Sequence, residues 1–333
     1  MRRAGVTVLE HHVPVWERRP HNWRAGAGAA AQLAWAEARL LRAPRTSADV
    51  VVVGYPGHLD VAAARRVAGR RPLVFNPLVS LSDTFVSDRA RFRPGSVPAR
   101  VLEAIDRRAL RGADLVVADT DAHAEFLAGL AGLPRDRVAV CFVGAEDRVF
   151  TPAWQPEEPF TSVFIGKLIP LHGLETVLAA ARIAPELRFR IVGSGQLEAL
   201  LREVPPNVEH VRWIPYEQLP CAFAAAGAAL GIFGASAKAR RVIPNKVFQA
   251  LACGAPVVTA DTPAARELLT DDEDALLVPP ADAGALAAAL RRLAADRPLA
   301  ARIAARGRAT YEAEASERVL GARWHALLEG LVR

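Results

Sequence analysis

Short apolar runs recur along this chain at the spacing of a parallel sheet, and that rhythm limits the fold more than any other feature. In the second half the runs are TSVFIG, LRFRIVG, VEHVRW, AALGIFG, PVVTA and ALLVPP, and the pattern predicts a helix after each. In the first half strands are expected at Val6 to Glu10, Val50 to Val53, Pro72 to Asn76, Asp114 to Thr120 and Val138 to Gly144. Helices are expected from about Ala25 to Leu41, from Val61 and from Val97 to Leu110. Near-continuous apolar runs suit strands covered on both faces, and strands alternating with helices imply βαβ units. The segment TPAWQPEEPF, 151–160, breaks the rhythm with prolines and acids and reads as a linker. A chain of 333 residues exceeds a usual single core. The expected division is therefore residues 1–152, residues 153–310 and a closing helix over 311–333 with an apolar face at Leu320, Trp324, Leu327 and Leu328.

One stretch, residues 228–267, carries the chemistry. The run Ala228 to Phe233 reads as a buried strand, and a basic cluster of Lys238, Arg240 and Arg241 follows it. Pro244 then opens a helix to Cys253, which Gly254 and Pro256 stop before the next strand. The free N–H groups at a helix start carry partial positive charge, and these cations with Lys246 stand around that start. The arrangement favours an anion of phosphate type; a solvated basic loop is the alternative.

Composition narrows the partners. A net charge of +6 favours acidic ones: phosphorylated sugars, nucleotides or an anionic membrane surface. The arginines are dispersed as pairs such as Arg18 with Arg19 and Arg107 with Arg108, and no nucleic-acid-binding motif accompanies them, so nucleic acid is not expected. Cys141, Cys221 and Cys253 lack metal or redox spacing and read as reduced core residues. No cluster has metal-ligand spacing, and neither a metal nor another cofactor is expected. No signal peptide or membrane span is legible, so the expected location is the cytoplasm, with peripheral contact to an anionic inner membrane face compatible with the charge.

The segments RVIPNKVFQALACGAPVVTADTPAARELL, DALLVPPADAGALAAAL, ADLVVADTDAHAEFL and VGAEDRVFTP resemble the nucleotide-sugar glycosyltransferases of family 4. The resemblance covers most of the chain. It implies the GT-B fold: two Rossmann-like α/β domains facing across a cleft, with a C-terminal helix crossing back to the first. The family's first strand and glycine loop have no counterpart here, since MRRAGVTVLE is similar to the end of the first helix and the second strand.

The resemblance also implies roles. Lys167 and His172 in GKLIPLHG stand where the family uses arginine and lysine on the donor diphosphate, with Arg240, Arg241, Lys246 and the backbone of Ile243, Pro244 and Asn245 beside them. Gly193, Gly195, Trp213, Ile214 and Gln249 would hold the nucleoside. Two family glutamates are replaced by Arg241 and Gln249; a glutamine can still bond a ribose hydroxyl, whereas an arginine suits phosphate or a sugar carboxylate. Asp83 would orient the acceptor hydroxyl, and His58 is expected to face the cleft at the carboxyl end of a strand. With Lys167 they form the candidate catalytic set. A cap or turn aspartate and an ordinary loop histidine are the competing explanations.

The function expected from the resemblance is retaining transfer of a sugar from a nucleotide-diphosphate donor to a hydroxyl acceptor. A nucleotide-sugar-binding protein without turnover is the alternative, and a sugar-nucleotide 2-epimerase a weaker one. No GxGxxG follows any strand, which disfavours an NAD-dependent dehydrogenase.

Overall fold

The computed structural model describes residues 1–14 and 27–333. Two parallel sheets organise them. The first takes β1 (Val51–Val53), β2 (Leu73–Phe75), β3 (Leu115–Ala118) and β4 (Val138–Val140), in that spatial order. Its helices are α1 (Ala27–Leu41), α2 (Asp60–Ala68), α3 (Val97–Gly112) and α4 (Asp121–Ala131). The predicted start of α1 at Ala25 and the pair Arg18 and Arg19 lie outside the described residues. Local chemistry sets the helix starts: the Ser96 hydroxyl accepts from the Ala99 amide with Pro98 in the first turn, and Thr120 accepts from the His123 amide.

The second sheet has six parallel strands: β5 (Thr161–Ile165), β6 (Arg188–Val192), β7 (Val208–Val211), β8 (Ala228–Leu230), β9 (Val257–Ala260) and β10 (Leu276–Val278). Their order is β10-β9-β8-β5-β6-β7. The chain builds outward from β5 to β7, returns to lay β8 on the other side of β5, and builds outward again. Helices α5 (Leu174–Ile183), α6 (Leu219–Ala224), α7 (Asn245–Cys253), α8 (Pro263–Arg266), α9 (Ala283–Ala295), α10 (Arg297–Glu314) and α11 (Glu317–Val332) complete this half. The expectation of a helix after every strand fails at β6, where only a 3-10 turn, Glu198–Leu201, precedes β7.

Three other expectations are corrected. Val6 to Glu10 forms no strand; Val6 packs on the apolar core instead, and the turn at Arg2–Ala4 lies against α11. The closing helix is two helices broken at Ala315 and Ser316, because the chain must turn to keep Tyr311 and Leu320 in one core. Among the cysteines, Cys141 and Cys253 are buried, but Cys221 is exposed.

A single apolar cluster joins the halves. It takes Val74, Leu115, Val117, Phe142 and Phe150 from the first, and Val247, Phe248, Leu251, Tyr311, Leu320 and Leu328 from the second. Burying such side chains stabilises by about 1.5–3 kcal/mol each, so this shared core fixes how the sheets face one another. Helix α11 closes it from outside: the Glu317 amide donates to Asp147 Oδ2 at 3.0 Å, and the Tyr311 hydroxyl donates to Asp147 Oδ1 at 2.5 Å. No described helix is long and apolar enough to cross a membrane.

Candidate active site between the sheets

The strand order reverses between β5 and β8, and in open parallel sheets ligands gather at the carboxyl ends of strands beside such a reversal. Two loops leave there: Gly166–Gly173 after β5, and 231–244 after β8, which delivers the chain to α7. Pro244 is the residue just before α7, with extended backbone angles, and the helix proper begins at Asn245. Neither Pro244 nor Asn245 bonds a side chain to the helix start, which leaves its first amides open to a ligand.

Lys246 dominates this corner. Its side chain is buried, its ammonium nitrogen lies 3.5 Å from the centroid of the Phe164 ring, and it has no hydrogen-bond partner among the described residues. Gly166 makes room for it: a Cβ there would sit 3.2 Å from Lys246 Nζ and 3.4 Å from the His172 ring. His172 is also buried, with Nδ1 2.5 Å from the Lys167 carbonyl oxygen and its ring edge-on to Phe164 at 5.8 Å. Burial pushes the pKa of both groups well down, and for His172 the neighbouring Lys246 adds to it. Lys167 itself is exposed.

Gly193 and Gly195 follow β6, and their role is backbone approach. A Cβ on Gly193 would lie 1.9 Å from the Gly166 carbonyl oxygen, and one on Gly195 2.7 Å from that of Leu168. With φ at 146° and 158° both sit where side chains are strained, so the loops after β5 and β6 can touch only through glycine. The adjoining wall is open: Trp213 is 74% exposed, Ile214 packs partly on the shared core, and Gln249 hydrogen-bonds the Tyr216 hydroxyl.

The basic cluster divides. Arg240 is exposed, and Ile243 is buried. Arg241 crosses to the first half, where Nη2 meets Asp83 Oδ2 at 2.9 Å and its guanidinium covers the Phe126 ring at 3.8 Å. Its carbonyl oxygen accepts from the Thr120 hydroxyl at 2.5 Å, and its Nε is buried without a partner among the described residues. Lys238 also crosses: it donates to Thr84 Oγ1 at 2.7 Å, and burial lowers its pKa against the pull of Asp88 and Asp83. Asp88 accepts from the Leu171 amide at 2.9 Å, and burial raises its pKa in spite of Lys238. The loop carrying Asp83 thus clasps both loops of the second half. Asp83 and Arg241, expected on acceptor and phosphate respectively, are each other's partner here, because two cations and two carboxylates leave water together more cheaply than apart.

His58 is a further correction. It does not open on the cleft: it is 6% exposed, with Nε2 3.3 Å from Asp106 Oδ1, Nδ1 against the Pro56 carbonyl oxygen and its ring edge-on to Phe75. Burial lowers its pKa, opposed by Asp106.

Sequence reasoning missed Asp106. Fully buried on α3, it accepts from the Ser80 hydroxyl, the Leu81 amide, and both the amide and hydroxyl of Ser82, all at 2.7–2.8 Å. It thereby fixes the turn that presents Asp83, whose amide donates to Ser80 Oγ at 3.1 Å. A signal was available, since Asp106 falls on the helix face that also buries Ala99, Ala109 and Leu110, where a carboxylate needs partners. Glu267 was missed too; it accepts from the Asp121 and Ala122 amides at the start of α4, another tie between the halves.

Comparison with known proteins agrees with this architecture. Residues 174–326 match the family model described as glycosyl transferase-like. The putative colanic acid biosynthesis glycosyltransferase WcaL of Escherichia coli is 29% identical over 239 residues, which cover 66% of this chain and 58% of that protein. The chain therefore spans somewhat over half the length of that relative. Among solved structures, sucrose-phosphate synthase from Thermosynechococcus elongatus superposes with a TM-score of 0.72 at 19% identity, over 91% of this chain and 78% of that one. HepE of Anabaena, solved in complex with UDP-glucose, gives 0.70 at 18% identity over 90% and 84%. At such identities the structural likeness is one of fold. Over its second half the chain is thus similar in sequence to glycosyl transferase-like proteins, and as a whole it has the GT-B fold.

Proposed function

We propose that this protein transfers a sugar from a nucleotide-diphosphate donor to a hydroxyl acceptor with retention of anomeric configuration. The observation that carries the reading is Lys246, a buried lysine without a partner among the described residues, at the open start of α7 beside the reversal of strand order. The solved complex of HepE with UDP-glucose supports a donor of this class. In this reading the first amides of α7, Lys246 and His172 receive the diphosphate, and Lys167 reaches it from the solvent side. Trp213, Ile214 and Gln249 line the nucleoside's place.

During transfer the bond from the anomeric carbon to the phosphate oxygen breaks, and its electron pair leaves with the diphosphate. Fixed cations and amides stabilise that growing charge with no reorganisation at the moment of reaction. The acceptor oxygen forms the new bond, and its proton passes to a basic oxygen at the site. Asp83, once released from Arg241, is the first-half carboxylate available for it. Binding without turnover is a second reading, favoured by the hold of Arg241 on Asp83.

The test is a panel of UDP-, GDP-, ADP- and TDP-sugars with the purified protein, read by thermal shift and by released nucleoside diphosphate. Binding to the folded state raises the melting temperature, so affinity and turnover separate. A shift with release, both weakened in Lys167→Ala, supports transfer. A shift without release in the presence of varied hydroxyl acceptors selects binding alone, and no shift at all refutes the site.

A further inference from the structure

Lys246 raises a question that diphosphate binding alone does not answer. A permanently charged ammonium in this pocket would lack an acceptor among the described residues, since Nζ lies over the Phe164 face beside the space left by Gly166 and makes no hydrogen bond. Its neighbour offers no help: His172 donates Nδ1–H to the Lys167 carbonyl oxygen and makes no hydrogen bond to Nζ. Among the groups that shift these two, no carboxylate appears on either; burial acts on both, and Lys246 acts on His172.

Other charged groups around α7 are engaged or distant from Nζ. Arg241 is on Asp83, Lys238 is on Thr84, and Arg240 and Lys167 point to solvent. Arg308 of α10 bonds the Ala252 carbonyl oxygen at the far end of α7, where Cys221 of α6 also approaches Cys253. The Tyr216 hydroxyl is held by Gln249 and Glu146.

Resting on the reading of this corner as a diphosphate site, we propose that the ligand binds together with a proton. Lys246 is uncharged in the closed pocket and takes a proton from solvent as the diphosphate enters, so the site generates its cation only when an anion is there to pair with it. The balance is simple: one proton moves from buffer to Nζ, the nitrogen lone pair becomes the third N–H bond, and no covalent bond of the ligand changes. A nucleotide sugar suits this role because its diphosphate is a diester without a titrating proton near neutral pH. The strong depression of the Lys246 pKa by burial agrees with the geometry. A consequence is that donor affinity falls with rising pH, by up to about tenfold per unit where one proton is taken up.

Isothermal titration calorimetry of the full chain with UDP-glucose, GDP-mannose, ADP-glucose and TDP-glucose tests this. Titrations are run at pH 8 and pH 9 in two buffers of unequal ionisation enthalpy. The expected result is a heat that depends on buffer and corresponds to uptake of about one proton per nucleotide sugar at one of these pH values. In Lys246→Met the uptake disappears and affinity falls about tenfold or more, as for loss of a charge-assisted contact. Where that variant binds too weakly to titrate, His172→Phe takes its place: uptake that persists supports Lys246 as the acceptor, and uptake that vanishes overturns it. Binding without buffer dependence at both pH values, or uptake unchanged in Lys246→Met, also overturns the inference while leaving the diphosphate site standing. Failure of all four nucleotide sugars to bind sinks the site itself, and this inference with it.

Discussion

Replacing Asp83 by asparagine removes one charge from the clasp between the halves and keeps its shape. Arg241 would then lie 18% exposed against Phe126 without its present ion-pair partner, and its Nε already lacks a partner among the described residues. Breaking a fully buried pair from one side costs about 3–5 kcal/mol. Here water reaches Arg241, and the asparagine oxygen still accepts one hydrogen bond, so we expect about 2 kcal/mol. That corresponds to about a 30-fold change in the equilibrium between clasped and released forms. Urea unfolding should report the loss, and small-angle scattering should report a larger radius of gyration if the halves separate before they unfold. Arg241→Gln should cost a similar amount, and the double variant should recover about 1–2 kcal/mol of the sum, as expected for groups in contact. Single variants within about 0.5 kcal/mol of the parent, or strictly additive costs, would show that the pair is incidental and the reasoning mistaken.

Three further outcomes follow from the same geometry. Lys246→Met should stabilise the fold by about 1–3 kcal/mol at neutral pH, because it removes an unpaired buried group. The parent's deficit should shrink as pH rises from the lowered folded pKa towards about 10.4, since in that window the unfolded chain holds the extra proton; parallel stability curves for parent and variant in urea melts over pH 7 to 9.5 would count against it. Asp106→Ala strands the donors of Ser80, Leu81 and Ser82 and should cost about 3 kcal/mol or more, with hydrogen exchange at the Leu81 and Ser82 amides as the local readout. Trp213→Ala should leave stability within about 0.5 kcal/mol and weaken nucleotide binding by about 1–3 kcal/mol if the ring stacks on a base; equal affinity in a thermal-shift titration removes Trp213 from the site.

What could be read in the sequence was local. The second sheet was legible because each strand is a short apolar run closed by glycine or proline, and the start of α7 was legible from Pro244 and Gly254. The cations around that start were visible for the same reason. Their partners were not: Asp83 and Arg241 are separated by most of two sheets, and no periodic pattern couples positions so far apart. The same limit hid the destination of Val6, whose apolar alternation fits a strand but which packs on the core shared by the two halves, while the turn just before it lies against α11. Lys246 was legible as a cation at the start of α7, but its burial was not: the glycine at 166 opens a space behind Phe164 that local spacing cannot reveal. Asp106 was the opposite case, an acid on an apolar helix face whose cost could have been questioned from sequence alone.

The bond from Glu317 to Asp147 spans 170 residues, and α11 is the element that covers Phe142 and its neighbours. During synthesis the first sheet is therefore finished long before its outer cover exists. At about 5–20 residues per second, translation leaves that apolar patch bare for roughly ten to thirty seconds. Until then the apolar face that the first half contributes to the shared core has no partner, and a chain cut short within the second half would leave part of that face exposed to water.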